Sequence, residues 1–404
     1  MSSRYNKKYD FFIIITIASL AWGSYELLGA ITPIRVIGLY GLFLTYKNKK
    51  KIYKLTFGLS KLFYFWIIYS FISVGWSLNF SSWAIQFCHT ATMMGAIMAL
   101  ALWAEKSQNP LKAISNGWLL FIFLTMPIAI WELSTGNHLS SGSYNLDAMG
   151  EYAMLKPFAA VTFANYNSYV VMLCIALPFI INILFNGPIK YRLLSVLALV
   201  FIFVVLAFNT SRGGILCFII ALSLFVYAIY SRINFLFKLV LILLLSYGIY
   251  YLIINIDDIL IFEHLLSRSE STGLFEDSNR SEVWYRSILI SAKYLFIGTG
   301  CGSMHQILDY YYPNQLSFCH NYFLETLLEY GLLIFFIWFI SIFKIIVRNI
   351  KSIFIEIKYA GLYALMSSPF LLIIDDYYAQ RTGIWLYIAS LLVLYNYNKT
   401  SLSR

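Results

Sequence analysis

Long apolar segments recur along the whole chain and are separated by short polar stretches. A segment of about 20 apolar residues is long enough to cross the ~30 Å hydrocarbon core of a membrane. The pattern predicts about twelve spans. They lie near residues 11–30, 32–46, 57–76, 83–103, 116–133, 158–185, 193–210, 213–231, 234–255, 321–347, 359–374 and 382–397. We therefore expect an all-α polytopic membrane protein in which residues 1–404 form a single transmembrane domain.

Two connections between the predicted spans are much longer than the rest, at residues 134–157 and 256–320. Loops of this length are usually functional or disordered. The second loop contains apolar residues at i, i+3/i+4 spacing, which predicts an amphipathic helix on the membrane surface or over a cavity. These residues are Val283, Trp284, Ile288, Leu289, Ala292, Leu295 and Phe296. Three glycines at Gly298, Gly300 and Gly302 are expected to end that helix.

Composition and charge agree with a membrane protein. The chain is 60% hydrophobic and only 12% charged, whereas a soluble domain has about 25% charged residues. The net charge of +10 alone would suggest a nucleic-acid partner. Lys and Arg accumulate in cytoplasmic loops of membrane proteins, however, so the positive-inside rule explains this charge. We expect no nucleic-acid partner.

The distribution of charge orients the predicted spans. Twelve spans with a cytoplasmic N-terminus place 21 of the 29 Lys and Arg residues inside and 16 of the 19 Asp and Glu residues outside. Both termini should therefore be cytoplasmic. Eight basic residues are left on the outer side or at its membrane boundary: Arg35, Lys156, Arg212, Arg268, Arg280, Arg286, Lys293 and Arg381. Orientation does not explain these cations, so they include the candidates for function.

The cysteines do not indicate a metal site. The chain has five, with no CxxC pair and no His/Cys spacing typical of a metal ligand set. Cys301 and Cys319 flank one polar loop on the predicted outer side. A disulfide between them stays an open alternative, because sequence spacing does not show whether the geometry permits it.

Arg212 is the first candidate functional residue. It follows Thr210 and Ser211 and precedes Gly213 and Gly214, at the outer end of two apolar spans. An Arg at membrane depth costs about 3 kcal/mol or more and is usually functional or paired. Two adjacent glycines would allow the backbone to turn tightly and approach a ligand. The alternative is an Arg that extends to the lipid headgroups from a helix end.

Arg280 and His320 are further candidates in the long outer loop. Arg280 begins the amphipathic helix, although a loop Arg is often only a solvated charge. His320 immediately precedes a span in which Asn321, Glu325 and Glu329 have i, i+4, i+8 spacing and should point into the bundle. A neutral His can accept a proton from an attacking hydroxyl. The alternative is a His hydrogen-bonded to a headgroup or to the backbone. The other four histidines, including His138, have no comparable neighbourhood.

Several of these motifs, in this order, resemble the superfamily of O-antigen ligases and Wzy-type polymerases. The resemblance covers roughly residues 125–335. It rests on Trp131-Glu132-x-x-Thr135-Gly136-x-His138-Leu139, Phe163-Ala164-Asn165-Tyr166-Asn167, Thr210-Ser211-Arg212-Gly213, Arg280 and Trp284 with Gly298-x-Gly300-x-Gly302, and His320-Asn321-x-Phe323-Leu324-x(4)-Glu329-x-Gly331. The family commonly has Asn-Pro-Asn where this chain has Asn165-Tyr166-Asn167.

The resemblance implies a GT-C-like glycosyltransferase of the bacterial inner membrane with an extracytoplasmic active site. The implied donor is a glycan on undecaprenyl diphosphate, the acceptor is a glycan hydroxyl, and the reaction inverts the sugar without a metal ion or other cofactor. It implies that Arg212 and Arg280 bind the diphosphate and that His320 acts on the acceptor. Implied substrate-binding residues are Arg286, Asn321, Glu325, Asn165, Asn167 and Trp284. Implied partners are membrane lipids and a chain-length regulator protein.

The function within this resemblance has alternatives. A polymerase extends another lipid-linked repeat in O-antigen, capsule or exopolysaccharide synthesis, whereas a ligase transfers glycan to lipid A–core or to a protein. The stretch around Trp131 and Asn165 favours the polymerase. A non-enzymatic transporter would usually place ionisable residues near the midplane of symmetric repeats, whereas here they concentrate at one face. A non-catalytic scaffold would not need Arg, His and glycine turns together.

The charge distribution predicts that Arg212, the loop around Arg280, and His320 face the outside. A cysteine introduced by Ser278→Cys should react with a membrane-impermeant maleimide in intact cells or spheroplasts. Ser403→Cys, near the predicted cytoplasmic C-terminus, is the control and should react only after lysis. Both are made in a background without the five native cysteines. Protection of position 278 until lysis would contradict the topology.

Overall fold

The structure is a computed structural model that describes residues 6–23, 31–139, 158–163, 165–230, 280–313, 318–374 and 382–402. Within these ranges the chain forms a bundle of α-helices. In chain order they are α1 (Lys7–Ala18), α2 (Pro33–Lys47), α3 (Lys49–Leu55), α4 (Leu59–Ile72), α5 (Phe80–Lys106), α6 (Pro110–Thr135), α7 (Tyr166–Asn186), α8 (Ile189–Phe208), α9 (Arg212–Tyr230), α10 (Arg280–Lys293), α11 (Met304–Tyr311), α12 (Tyr322–Ile350), α13 (Ile355–Leu371) and α14 (Thr382–Leu402). Short 3-10 turns, Ser19–Trp22 and Ser73–Gly75, extend α1 and α4.

The helices are consistent with the expected polytopic membrane protein. Among the described residues, six helices are long and apolar enough to cross a membrane, namely α5, α6, α7, α8, α9 and α12. Together α3 and α4 would supply a seventh span that is broken by a bend of 110°. The predicted span at 234–255 lies outside the described residues. The number of twelve spans and the GT-C-like arrangement stay predictions.

The predicted span at 158–185 is wrong at its start. The helix α7 begins at Tyr166, and residues 158–163 form a non-helical turn. Val161 in this turn has φ +57°, a left-handed value that a β-branched residue rarely adopts. Apolar character alone does not distinguish a buried turn from the first part of a span, because both exclude water.

Asparagine marks the start of several helices. An Asn side chain at the N-cap accepts a bond from a main-chain N–H that the helix leaves unpaired. This occurs at the start of α1, α5, α6, α7 and α12, with the caps Asn6, Asn79, Asn109, Asn165 and Asn321. Two of these, Asn165 and Asn321, are among the residues expected to bind substrate.

The helix α7 lies at the centre of the bundle, because 89% of its most apolar stretch of 18 residues is buried inside the protein. Two tyrosines of α13 donate hydrogen bonds to main-chain carbonyls of neighbouring helices. Tyr363 Oη bonds the Cys174 carbonyl of α7 at 2.8 Å, and Tyr359 Oη bonds the Ala221 carbonyl of α9 at 2.7 Å. These bonds hold α13 against the centre and thereby fix the turn at its C-terminal end.

The two ends of the described chain lie at the same end of the bundle. The Asn6 N–H donates to the Lys106 carbonyl at 3.1 Å, which places the start of α1 beside the turn between α5 and α6. Near the other terminus, the rings of Tyr397 and Phe354 are 6.0 Å apart. Phe354 precedes α13 and lines a common cavity with Asn109 of the α5–α6 turn. The assignment of this end to the cytoplasm stays a prediction.

The amphipathic helix expected in the second long loop is α10, and part of its apolar stripe is exposed. Val283, Ser287 and Ile290 are buried, whereas Ile288 and Leu289 are 45% and 43% exposed. A helix on a membrane surface turns its apolar residues toward lipid. The exposed apolar face of α10 therefore fits the expected position on the membrane surface.

Candidate active site

Three separate segments of the chain meet at the turn that follows α13. The Tyr322 N–H, at the start of α12, donates to the Leu372 carbonyl at 3.3 Å. Arg280, at the start of α10, donates from Nη1 to the Ile373 carbonyl at 2.6 Å. At Gly213, in the first turn of α9, an added Cβ would lie 3.0 Å from Ile374 Cγ1. The turn Leu372–Ile374 therefore gathers the segments that carry Arg212, Arg280 and His320.

Arg280 is half-buried, and its bond to a main-chain carbonyl fixes the position of its guanidinium. A guanidinium carries five N–H donors in a planar fork and stays protonated in proteins. Such a group suits an anion with several oxygens, above all a phosphate or diphosphate. The structure therefore holds this cation against the turn that follows α13.

Arg212 is the first residue of α9 and is exposed. The preceding Thr210 has φ +47°, and the Ser211 hydroxyl accepts a bond from the Gly214 N–H at 3.2 Å. These features turn the chain from α8 into α9. Anions are favoured near a helix N-terminus, because the first N–H groups and the helix dipole both point toward them. Arg212 adds a full positive charge at that position.

The two glycines after Arg212 have a packing role, and the expectation that they allow a ligand to approach stays a prediction. A Cβ at Gly213 would lie against Ile374, and a Cβ at Gly214 would lie 2.9 Å from Val170 Cγ1. Both glycines therefore let α9 pack closely against its neighbours. In sequence, a glycine that admits a helix cannot be distinguished from one that admits a ligand.

The turn at residues 158–163 is held by two polar side chains from different helices. Glu132 of α6 is fully buried, and its Oε2 accepts bonds from the Ala160 and Val161 N–H groups at 2.8 and 2.7 Å. Asn209, at the end of α8, accepts from the Ala159 N–H at 2.8 Å and donates to the Ala159 carbonyl at 2.9 Å. Asn209 thus connects this turn to the segment that begins with Thr210.

His138 has a built environment, so the expectation that it lacks one is wrong. Its ring stacks on Phe158, with centroids 4.0 Å apart and planes 13° apart. Its Nδ1 lies 3.3 Å from Glu132 Oε1. The sequence spacing of Glu132 and His138 did not indicate this contact. Gly136 lies between them, ends α6 in a left-handed conformation and turns the chain back toward Glu132.

His320 lies directly after a segment that α10 anchors. Trp284 Nε1 donates to the Cys319 carbonyl at 2.7 Å, and the Ser287 hydroxyl lies 3.1 Å from Cys319 Sγ. His320 itself is half-buried and has φ +45°. The structure therefore gives Trp284, expected to bind substrate, a role in positioning the residue next to His320.

The two glutamates of α12 that were expected to point into the bundle are buried. Glu325 and Glu329 are each 1% exposed. Glu329 Oε1 accepts from the Met304 N–H at 3.2 Å and so holds the start of α11. Asn321, the third residue of the expected face, accepts from the Phe323 and Leu324 N–H groups and caps α12.

The three glycines after α10 bring the loop against a break in α12. Gly331 has φ +77° inside α12, and the helix is kinked there. The Thr299 and Gly300 N–H groups donate to the Leu328 and Glu329 carbonyls at 2.8 and 3.1 Å. A Cβ at Gly331 would lie 2.1 Å from the Ile297 carbonyl oxygen, so only glycine fits this contact. The glycines therefore fix α10 relative to the His320 segment.

Arg286 has partners within its own region. It pairs with Glu282 one turn earlier on α10, and its guanidinium lies 4.8 Å from the centre of the Tyr312 ring. These contacts connect α10 to the end of α11. Arg286 therefore has partners within the protein, and its role in substrate binding stays a prediction.

Cys301 and Cys319 are both free and buried, so the structure does not form the disulfide left open above. Burial raises the pKa of the Cys319 thiol to about 12. Burial, with the nearby Glu329 carboxylate, also raises the pKa of the Cys301 thiol. Both thiols therefore stay protonated at neutral pH. Among the described residues, no three His, Cys, Asp or Glu side chains are grouped as metal ligands would be.

Comparison with known families gives a match over part of the chain. Residues 197–339 match the family model described as O-Antigen ligase. Neither the curated proteins nor the solved structures contain a match to the chain. The matched region includes Arg212, Arg280 and His320, and it confirms the resemblance to the superfamily of O-antigen ligases and Wzy-type polymerases. The Glu132 contacts and the turn Leu372–Ile374 lie outside it.

We predict that Glu132→Ala will destabilise the protein and open the turn at residues 158–163. It leaves two buried N–H groups without an acceptor, each at a cost of about 1–3 kcal/mol. Glu132→Gln should preserve most of the stability, because the amide oxygen still accepts. Hydrogen exchange measured by mass spectrometry should show faster exchange at 158–163 in the Ala variant only.

Glu105→Ala is the matched control for this experiment. Glu105 pairs with Lys51 at 2.6 Å, but both side chains are more than one third exposed. An exposed pair contributes only about 0–1 kcal/mol, so exchange at 158–163 should not change. Wild-type exchange in Glu132→Ala would show that the carboxylate does not hold the turn.

Proposed function

Starting from the match of residues 197–339 to the O-antigen ligase family, we propose that the protein is a glycan polymerase of the bacterial inner membrane. It transfers a glycan from undecaprenyl diphosphate to a hydroxyl of a second lipid-linked glycan, in O-antigen, capsule or exopolysaccharide synthesis. The reaction is inverting and requires no metal ion. The proposed catalytic residues are Arg212, Arg280 and His320.

The observation that carries the proposal is the meeting of three segments at the turn Leu372–Ile374. Arg280 bonds the Ile373 carbonyl, Gly213 beside Arg212 packs on Ile374, and the helix that follows His320 bonds the Leu372 carbonyl. Gly213 and the turn Leu372–Ile374 are more than 100 positions apart in the sequence. A transporter or a scaffold gives no reason for the segments that carry two arginines and a histidine to meet, whereas transfer from a diphosphate can use such residues.

Charge development during the reaction explains the need for arginine. The bond between the sugar and the diphosphate oxygen breaks, and negative charge grows on the departing lipid diphosphate. Fixed cations near that oxygen stabilise the transition state more than the ground state. Arg212 and Arg280 supply such charge, because a guanidinium is permanently charged in proteins.

His320 is proposed to act on the acceptor. The acceptor oxygen forms the new bond to the sugar, and its proton must go to a base. A neutral imidazole accepts a proton near neutral pH. Trp284 and Asn321 position the backbone on either side of His320, through the Cys319 carbonyl and the cap of α12.

The choice of acceptor separates the polymerase from the ligase. The polymerase proposal rests on the stretch from Trp131 to Asn167, which resembles capsule and exopolysaccharide polymerases. The description of the matched family favours the ligase as the second candidate. Purified protein incubated with one lipid-linked glycan should give ladders of longer chains if it is a polymerase. Products only on added lipid A–core would support the ligase.

The orientation and partners of the protein follow from this proposal. The donor and acceptor glycans reach the site on the extracytoplasmic side, while both termini lie in the cytoplasm. The exposed apolar face of α10, which includes Ile288 and Leu289, contacts membrane lipids beside the lipid-linked donor. A chain-length regulator protein is the proposed protein partner.

We predict that Arg212→Ala and Arg280→Ala will each reduce transfer by roughly 10²–10³-fold, the usual cost of losing one donor to a developing anion. Lysine at either position should restore little, because a point charge cannot make a two-pronged contact with a diphosphate. The assay measures elongation of lipid-linked glycan by protein that is correctly inserted in the membrane.

Arg268→Ala is the control for the arginine variants. Arg268 belongs to the same long loop in sequence but to none of the motifs, and it lies outside the described residues. Its replacement should leave elongation near the wild-type rate. Equal losses in all three alanine variants would indicate that the arginines support loop folding and do not bind the diphosphate.

We predict that His320→Ala will lose about 10²–10⁴-fold in transfer rate, the usual contribution of a general base, while it keeps donor binding. His320→Asn should show the same loss, and Asn tolerates the left-handed backbone at this position. The wild-type rate should fall below about pH 6.5, the ordinary pKa of histidine, because a protonated ring cannot accept a proton. Normal turnover in either variant, or loss of donor binding in both, would contradict the role.

A further inference from the structure

The connection between α8 and α9, which ends at Arg212, is short and fully hydrogen-bonded. The helix α8 finishes in a Schellman motif, in which the Thr210 N–H donates to the Ala207 carbonyl at 2.9 Å. The second bond of the motif runs from the Ser211 N–H to the Leu206 carbonyl at 3.2 Å. Arg212 already begins α9. Only two residues, both with bonded N–H groups, therefore separate the C-cap of α8 from Arg212.

This connection contains a backbone conformation that its side chain disfavours. The left-handed residue of a Schellman motif is usually glycine and sometimes asparagine. Here it is the β-branched Thr210, with φ +47°. A second β-branched residue, Val161, has φ +57° in the turn at residues 158–163. Strained residues persist only where the surrounding structure holds them, and they cluster at functional sites.

Asn209, the C-cap of α8, joins these two strained segments. Its side chain is 1% exposed and makes two hydrogen bonds to one residue, Ala159. It accepts from the Ala159 N–H at 2.8 Å and donates to the Ala159 carbonyl at 2.9 Å. Two bonds to the same residue fix both the distance and the orientation of the amide. The end of α8 therefore cannot move along the turn at 158–163 without losing both bonds.

The turn at 158–163 is itself fixed, so it can support α8. Glu132 of α6 accepts from the Ala160 and Val161 N–H groups, directly after the residue that Asn209 bonds. A series of buried bonds thus runs from α6 through the turn to Asn209, three positions before Arg212. Arg212 is exposed, so the position of its backbone strongly affects where its guanidinium lies.

We propose that Asn209 is a positioning residue, whose two bonds to Ala159 hold the start of α9 so that Arg212 is aligned with the diphosphate of the donor. This inference rests on the proposed function, in which Arg212 stabilises charge on the departing diphosphate. A cation that is already fixed stabilises that charge without moving during the reaction. Asn209 is buried and acts only through Arg212.

A double-mutant cycle tests this role. Transfer is measured with the full-length protein, inserted in nanodiscs, for the wild type, Asn209→Ala, Arg212→Ala and the double variant. Asn209→Ala alone should reduce transfer about tenfold or more, because a displaced catalytic group loses its alignment. In the Arg212→Ala background the same change should cost less than about twofold, because the group that Asn209 positions is already absent. A purely structural role would cost the same factor in both backgrounds.

A smaller change and a matched control accompany the cycle. Asn209→Ser keeps a hydroxyl that can replace at most one of the two bonds, so its transfer rate should lie between those of the wild type and Asn209→Ala. For the control Asn349→Ala, the replaced residue is also a fully buried asparagine, and its Nδ2 donates to the Leu391 carbonyl at 3.0 Å. This control should have a lower thermal midpoint but should transfer at the wild-type rate once inserted.

The positioning role is overturned if Asn209→Ala transfers like the wild type, if its cost is the same factor in both backgrounds, or if Asn349→Ala loses as much transfer. Failure of both Asn209 variants to insert would also overturn it, because Asn209 would then serve folding. Normal transfer by Arg212→Ala would overturn the proposed function, and this inference with it. Loss of transfer in Arg212→Ala with an additive effect of Asn209→Ala would contradict the positioning role alone.

Discussion

Main-chain groups that leave a helix need new partners, and inside a membrane protein water supplies few of them. This constraint shapes the whole candidate active site. The Leu372 carbonyl accepts from the Tyr322 N–H, and the Ile373 carbonyl accepts from the Arg280 guanidinium. Glu132 and Asn209 accept from N–H groups of the turn at residues 158–163. The candidate site therefore lies where helices end, and the bonds that satisfy the backbone also bring together the segments that carry Arg212, Arg280 and His320.

The candidates Arg212 and Arg280 could be selected from the sequence, because basic residues on the predicted outer side are few. Only eight of 29 Lys and Arg residues are unexplained by orientation, and this short set contained Arg212 and Arg280. The helix α10 was predictable from its i, i+3/i+4 spacing. The direction in which its apolar face points was not predictable, because the same spacing is compatible with burial against protein and with exposure to lipid. The structure separates these two cases by the exposure of Ile288 and Leu289.

The parts that sequence reasoning missed depend on contacts between distant segments. Glu132 looked like one residue of a weak motif, yet it bonds two N–H groups about 30 positions away. The turn Leu372–Ile374 contributes mainly carbonyl oxygens, which every residue has, so its sequence carries no signal. Asn165 and Asn321 carried a signal that was real but ambiguous, since an Asn that caps a helix and an Asn that binds a sugar look the same in sequence.

The break at Gly331 also limits how the protein can vary. Between Phe296 and Gly300 the loop supplies donors and acceptors for the broken turn of α12, with the Leu332 N–H bonded to the Phe296 carbonyl at 2.9 Å. The register is fixed at both ends of this short segment. An insertion of even one residue there would shift every bond, and α12 would lose its break and its direction.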